Sequence, residues 1–314
     1  MTEPVGNTST YLSDAHRSAV RAWLELVRVP NLLTVPGDPI AGFLLAAAAG
    51  LSGRACCPWG PAGVAAGVSV LLYMCGLVDN DLADLAEDRS ERPRRPLPSG
   101  RIGDRAARIV CAMLGAAGLC LATINGWASF TVAVVLLAAI VLYNHAVKKI
   151  RIAGPLVMGS CRALSLLLGA AAAGWRGELL LLVLVPAVVL WLYVAAVTAI
   201  AARETQATPM GLRRWLPAIV LAAGFGVMGF AEAERCVLLL GGIMALWAGL
   251  IGWRLSSCPQ PVVVQASIGQ LLCGLLLMQF VFATVAGAPI VVAGVAFVVL
   301  WFLNAQLARR FYAS

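Results

Sequence analysis

Ten stretches of mostly apolar residues constrain this chain more than any other feature: 33–52, 61–79, 106–124, 127–144, 154–174, 179–201, 215–233, 236–253, 265–287 and 289–306. A helix rises 1.5 Å per residue, so about 20 such residues match the ~30 Å hydrocarbon core of a bilayer. Inside that core each backbone N–H and C=O must be satisfied within the element, which makes helices the spanning unit for stretches of this length. The expected fold class is an all-α integral membrane protein, a bundle of nine or ten transmembrane helices. The count is ambiguous at the end, where only Gly287 to Pro289 separate the last two stretches. Charged residues make up 12% of the chain, about half the share found in a soluble domain.

The polar remainder organises the rest. Residues 1–31 read as an N-terminal cytoplasmic or interfacial segment, with no apolar core of signal-peptide length. A transmembrane domain is expected over 32–308 and a short tail over 309–314. The nine cysteines are scattered through apolar stretches without a CxxC or a Cys/His cluster, and read as small packing residues. With ten spans, 19 of the 23 Lys and Arg residues fall on the side of the N-terminus, three on the other side, and Arg162 within a span. That asymmetry places both termini in the cytoplasm and favours an even number of spans. The net charge of +8 then reflects topology and anionic lipid contact. No basic patch is interleaved with base-stacking aromatics, so nucleic acid is not an expected partner.

One stretch breaks the apolar pattern. "NDLADLAEDRSERPRRPLPSG", Asn80 to Gly100, holds five carboxylates followed by and mixed with four arginines. If the second span continues as a helix past Asp79, then Asp81, Asp84 and Asp88 lie at i, i+3 and i+7 and share a face, with Asn80 at its edge. Three carboxylates on one face repel one another unless a cation resolves them. Oxygen donors without His or Cys suit a hard ion, and Mg²⁺ is commonly shared between carboxylates and substrate phosphates. Pro93, Pro96 and Pro98 end the helix and stiffen a loop in which Arg92, Arg94 and Arg95 can meet phosphate. The pattern reads as a site for a metal–diphosphate pair at the membrane surface, suited to a substrate with a charged head and a greasy tail.

These residues resemble the first aspartate-rich motif of the UbiA family of intramembrane prenyltransferases, N-D-x-x-D-x-x-x-D followed by R-P-x-R-P-[LI]-P-S-G. The likeness extends to "RVPNLLTVPGDPIAG" (Arg28 to Gly42) and to "YNHAVKKIRIAGPLVMGSCRALSLLLGAA" (Tyr143 to Ala171). It implies a helical bundle around a membrane-open cavity, and Mg²⁺-dependent joining of an isoprenoid diphosphate to an aromatic or lipid acceptor. By resemblance the metal is held by Asp81, Asp84 and Asp88, and the substrate is met by Asn80, Arg92, Arg95, Lys148 and, near the mouth, Asn31. The second motif of the family, usually D-x-x-x-D, corresponds here to "VTAIAARETQATPMGLRRWLP", whose only acid is Glu204, beside Arg203. Glu204 is the expected catalytic acid of that motif, and Arg203, Arg213 or Arg214 could supply a fixed positive charge to the leaving diphosphate. The reduced motif also fits a second reading, a non-catalytic isoprenoid or lipid-precursor binding or transport protein. The run "MGSCRALSLLLG" resembles a divergent, EboC-like branch of the family, which implies a bacterial inner membrane.

Two charges fall inside apolar stretches. A bare charge at mid-span costs ~2.5–3.5 kcal/mol on insertion scales, so Arg162 needs a partner or a cavity. It is expected either to line the substrate cavity or to pair internally, with Asp38 as one partner. Pro36 and Pro39 around Asp38 suggest a broken first span. Trp191 and Tyr193 offer ring faces to an allylic cation, and His145 reads as an interfacial residue.

Overall fold

Residue 33 to residue 36 form a turn rather than helix, so the first span is broken where its prolines predict. In the computed structural model, which describes residues 19–50, 59–174, 180–202, 210–231, 235–255 and 259–311, every regular element is helical. The chain begins with α1 (19–26) and α2 (Val29–Leu32), then α3 (Gly37–Gly50), α4 (Trp59–Ala83) and α5 (Leu85–Glu91). It continues with α6 (Asp104–Ala122), α7 (Trp127–Leu142), α8 (Ala153–Ala172), α9 (Leu180–Ala201), α10 (Leu216–Ala231), α11 (Arg235–Arg254), α12 (Pro261–Val285) and α13 (Ile290–Phe311). Nine helices among the described residues are long and apolar enough to cross a membrane, the first running from Val29 to Ala48 through the break. The apolar part of α13, Val291–Leu307, is shorter. Thus the all-helical membrane bundle stands, and α13 is the element on which the count of nine or ten turns.

The main core gathers α3, α8, α9, α10, α11 and α12 around Leu166, Leu190, Tyr193, Phe225, Met244, Met278 and Phe282. Outward positions are large and apolar, with Phe230, Leu239, Trp253 and Val291 all exposed. A soluble surface rarely tolerates such a continuous apolar exterior; a lipid-facing one requires it.

α8 organises the bundle, packing on α3, α7 and α9. Its contact with α3 is backbone to backbone. A Cβ at Gly42 would lie 1.9 Å from the Leu166 carbonyl oxygen, and one at Gly169 would lie 1.8 Å from the Pro39 carbonyl oxygen. Only glycine permits that approach. It brings Asp38 of α3 within 2.7 Å of Arg162 Nε on α8. Arg162 Nη2 also donates to the Thr34 carbonyl at 2.9 Å, and Gln279 of α12 donates to the same carbonyl and to Asp38 Oδ1 at 2.7 and 2.6 Å. Three spans are therefore tied at one buried polar node.

Candidate active site

The acidic stretch is almost, but not quite, one helix. The N–H of Asp84 bonds the Asn80 carbonyl at 3.0 Å and that of Asp88 bonds the Asp84 carbonyl at 2.8 Å. Asp84 itself is a turn residue between α4 and α5. The offset separates the carboxylates by partner. Asp81 and Asp88 converge on one guanidinium: Arg95 Nη1 lies 2.7 Å from Asp88 Oδ2 and 3.9 Å from Asp81 Oδ1. Asp81 Oδ1 also accepts from Arg28 Nη2 at 3.1 Å and from Asn80 Nδ2 at 3.5 Å. Asp84 has a different partner and bonds Lys148. Asp81 and Asp88 are buried, whereas Asp84 is partly exposed.

The loop that carries Arg95 is folded rather than free. α5 ends at Glu91 before Pro93, and turn hydrogen bonds run from Arg95 N to the Arg92 carbonyl and from Ser99 N to the Arg95 carbonyl. Leu97 and Ile102 are buried against Ala22 and Leu26 of α1, Val78 of α4 and Leu85 of α5. Arg101 ties the same loop to α1 through Glu25 at 2.8 Å. Arg92, partly exposed, caps α5 through its N–H to the Asp88 carbonyl.

Lys148 arrives by a different device. Residues Tyr143–Val147 form a single π-turn at the end of α7, closed by the Lys148 N–H to the Tyr143 carbonyl at 3.0 Å. Such turns recur at functional sites because the extra residue re-aims side chains. Asn144 locks this one, donating to the Gly76 carbonyl at 3.1 Å and to Asp79 Oδ2 at 2.7 Å, while His145 Nε2 meets Asp79 Oδ1 at 3.0 Å. Next to Lys148, Lys149 pairs with Glu87. Hydrogen bonding and charge from Lys149 hold the Glu87 carboxyl below its usual range, and Glu87 raises Lys149 in return. The lowered acid keeps the pair charged above the unfolded carboxyl value of 4.5, and the raised base keeps it charged below the unfolded amine value of 10.5. The pair is therefore intact throughout the neutral range and is lost only beyond those limits.

Below this charged rim lies a cavity of about 260 Å³ between α4, α7 and α8. Arg28 and Asn80 stand at its charged end, Tyr73, Leu77, Leu136, Ile140, Tyr143 and Met158 form its walls, and Ser69, Cys161, Arg162 and Ser165 border its inner part. Ser69 and Ser165 hydrogen-bond each other at 2.6 Å across α4 and α8. Ser69 is twelve residues before Asp81 on α4, an axial distance of ~18 Å at helical rise.

Of the residues expected from sequence, Asn80, Asp81, Asp84, Asp88, Arg95 and Lys148 meet at this rim. Arg162 borders the cavity, but its charge is engaged by Asp38 and the Thr34 carbonyl. Asn31 does not border the cavity; its carbonyl accepts from the Thr34 hydroxyl at 2.9 Å. Arg203 and Glu204 lie outside the described residues. Arg214 donates to the Leu255 carbonyl at 3.0 Å and stacks on Trp215, and Arg213 borders a separate groove. Trp191 and Tyr193 are also elsewhere, bonded to the Leu156 and Leu271 carbonyls; the aromatic residues lining the cavity are Tyr73 and Tyr143. Sequence reasoning missed Arg28, whose only signal was its place just before "VPN", and the Asp79–Asn144 lock, which is visible only once α4 and α7 are packed.

The donor set suits Mg²⁺. Asn80, Asp81, Asp84 and Asp88 offer oxygen donors without His or Cys, and Asp81 and Asp88 already share one cationic partner, the Arg95 guanidinium. Among the described residues no three His, Cys, Asp or Glu side chains converge as a ready cage.

The chain is thus an all-helical membrane bundle with a charged rim beside an apolar cavity. The model of the UbiA prenyltransferase family matches residues 40–257, and the chain belongs to this family. The digeranylgeranylglyceryl phosphate synthase of Sulfolobus acidocaldarius is 30% identical over 156 residues, 50% of this chain and 54% of that protein. The chain spans about half the length of the curated relatives it matches. Among solved structures, a UbiA homolog from Aeropyrum pernix K1 superposes with a TM-score of 0.60 at 19% identity, covering 79% of this chain and 94% of that one. A UbiA homolog from Archaeoglobus fulgidus bound to GPP and Mg²⁺ gives 0.55 at 16% identity, covering 84% and 99%. These structural likenesses establish the shared fold.

Proposed function

We propose that the chain transfers a prenyl group from an isoprenoid diphosphate to a lipid acceptor in the membrane, in a Mg²⁺-dependent reaction. The observation that carries this reading is that Arg28, the partner of Asp81, and Asn80 line one end of an apolar cavity and so join it to the acidic cluster. A diphosphate needs the cluster and an isoprenoid tail the cavity. The family match supports prenyl transfer, and the names of the relatives favour a lipid acceptor over an aromatic one. The Archaeoglobus homolog, with its GPP and Mg²⁺, supports the choice of donor and ion.

In this reading Asp81, Asp84 and Asp88, with Asn80, would hold Mg²⁺, which when bound would neutralise charge on the diphosphate as a leaving group. Arg28, Arg95 and Lys148 turn from their carboxylates toward phosphate oxygens, and Arg92 lies beside them on the same loop. The allylic C–O bond breaks with its electron pair leaving on the diphosphate. The acceptor hydroxyl oxygen forms the new bond to carbon, and its proton passes to the departing diphosphate. The walls of the cavity keep water from the allylic carbon, and the Tyr73 and Tyr143 rings face it with negative π-density. Glu204 and Arg203 take the place of the second motif.

The test is diphosphate release by the purified protein in lipid nanodiscs, with labelled prenyl diphosphates, a lipid acceptor extract and Mg²⁺. Release is expected to require the metal and to fall at least ~10²-fold in Asp84→Ala, the scale at which transition-state charge stabilisation is lost. Labelled substrate that binds but never releases diphosphate would instead identify a carrier.

A further inference from the structure

Nearer the start of α8 than the residues it gives to the cavity is a groove of about 300 Å³ between α8, α9 and the start of α10. The cavity takes Met158, Cys161, Arg162 and Ser165 from α8, whereas the groove takes Pro155 and Leu156 together with Ile152 just before the helix. Its origin is local. At Gly159 the two helices touch so closely that a Cβ would lie 2.3 Å from the Trp191 carbonyl oxygen, and the Trp191 indole clasps the Leu156 carbonyl at 2.8 Å. Farther toward the start of α8, α9 presents Ala195, Ala196 and Ala199. These side chains are too short to close the gap that the clasp leaves.

The groove has two chemistries. Its walls are apolar, and Leu156, Leu192 and Ile152 beside it are exposed. Arg151 and Arg213 border it. Arg151 lies two residues after Lys149, and Lys148 and Lys149 pair with Asp84 and Glu87, so the groove's basic border is at the same end of the bundle as the acidic loop. Guanidinium groups match phosphate oxygens in a planar fork, and an alanine-floored channel matches a hydrocarbon chain.

We propose that this groove seats an anionic membrane phospholipid, with its phosphate at Arg151 and Arg213 and one acyl chain along Ala195, Ala199 and Leu192. A free phosphate ion would leave the apolar wall uncovered, and a zwitterionic lipid brings no net charge to match the arginines. The site is separate from the prenyl diphosphate rim and does not depend on the activity proposed there.

The experiment uses the purified full chain in detergent, with bound lipid counted by native mass spectrometry and Tm followed during titration. Phosphatidylglycerol, phosphatidylcholine and inorganic phosphate are the three probes. Phosphatidylglycerol is expected to bind and to raise Tm more than phosphatidylcholine does. The double variant Arg151→Gln/Arg213→Gln is expected to weaken phosphatidylglycerol binding about tenfold or more, since each basic residue near a lipid surface contributes on the order of 1 kcal/mol. Ala199→Phe, which fills the channel and keeps both charges, should also reduce it. Binding of prenyl diphosphate should be unchanged in Ala199→Phe. The proposal is overturned if inorganic phosphate alone reproduces the Tm shift, or if the double variant keeps its preference for phosphatidylglycerol.

Discussion

Arg28 holds the one positive φ of a non-glycine residue among the described residues, at 49°. A left-handed conformation costs such a residue roughly 1 kcal/mol or more. Here it turns the chain from α1 into α2 and brings the guanidinium to Asp81. With Arg95 it occupies the carboxylates that a metal would use, so cation and side chain compete for the same oxygens. Arg28→Gln should therefore bind Mn²⁺, a paramagnetic stand-in for Mg²⁺, more tightly in the absence of substrate. The same variant should bind prenyl diphosphate about tenfold more weakly, the scale of one lost charge-assisted hydrogen bond. Both are read by titration, the first by electron paramagnetic resonance. Weaker binding of both ligands would show that Arg28 only supports the fold of the rim.

At the scale of helices, the Gly42–Gly169 contact and the Asp38–Arg162 pair form one joint between α3 and α8. Removing one member of a buried pair leaves an uncompensated charge and costs ~3–5 kcal/mol. Asp38→Ala should lower stability by that amount in a denaturant titration in micelles, while Asp38→Leu/Arg162→Met should cost clearly less. If the single and double variants are equally stable, the pair does not hold the joint. Much of this level was readable beforehand. Arg162 at mid-span demanded a partner, and Asp38 between two prolines was the available one. The packing behind it was not readable: Gly63 and Gly67 have the GxxxG spacing that suggests a helix contact, yet Gly63 faces open space and Gly67 meets only the Leu121 side chain. Spacing identifies small residues, but which of them touch another helix depends on how the bundle closes. The acidic face shows the same limit. The i, i+3, i+7 spacing brought Asp81 and Asp88 to one guanidinium, while Asp84, in the turn between α4 and α5, meets Lys148. That partner lies 64 positions away, so local spacing cannot show it.

For the whole molecule, the apolar pattern gave the bundle directly, because a bilayer leaves few alternatives to a helix of that length. It gave the ends less well, since α13 has a shorter apolar core than the nine other spans. If α13 also crosses, both termini share the side of the acidic loop, as the distribution of Lys and Arg favours. A C-terminal green fluorescent protein fusion, which becomes fluorescent only in the cytoplasm, should then be bright, and a dark but full-length fusion would support nine spans. The joint at Asp38 also has a consequence for how the protein is made. Synthesis delivers the acid first, its basic partner more than a hundred residues later, and Gln279 later still. The helix bearing Arg162 leaves the ribosome carrying a charge that lipid rejects, after its neutralising partner is already in the membrane. Biogenesis is thus ordered by the sequence itself: the first span must be retained beside the insertion machinery, as a docking post for the fifth, before the ninth can seal the node.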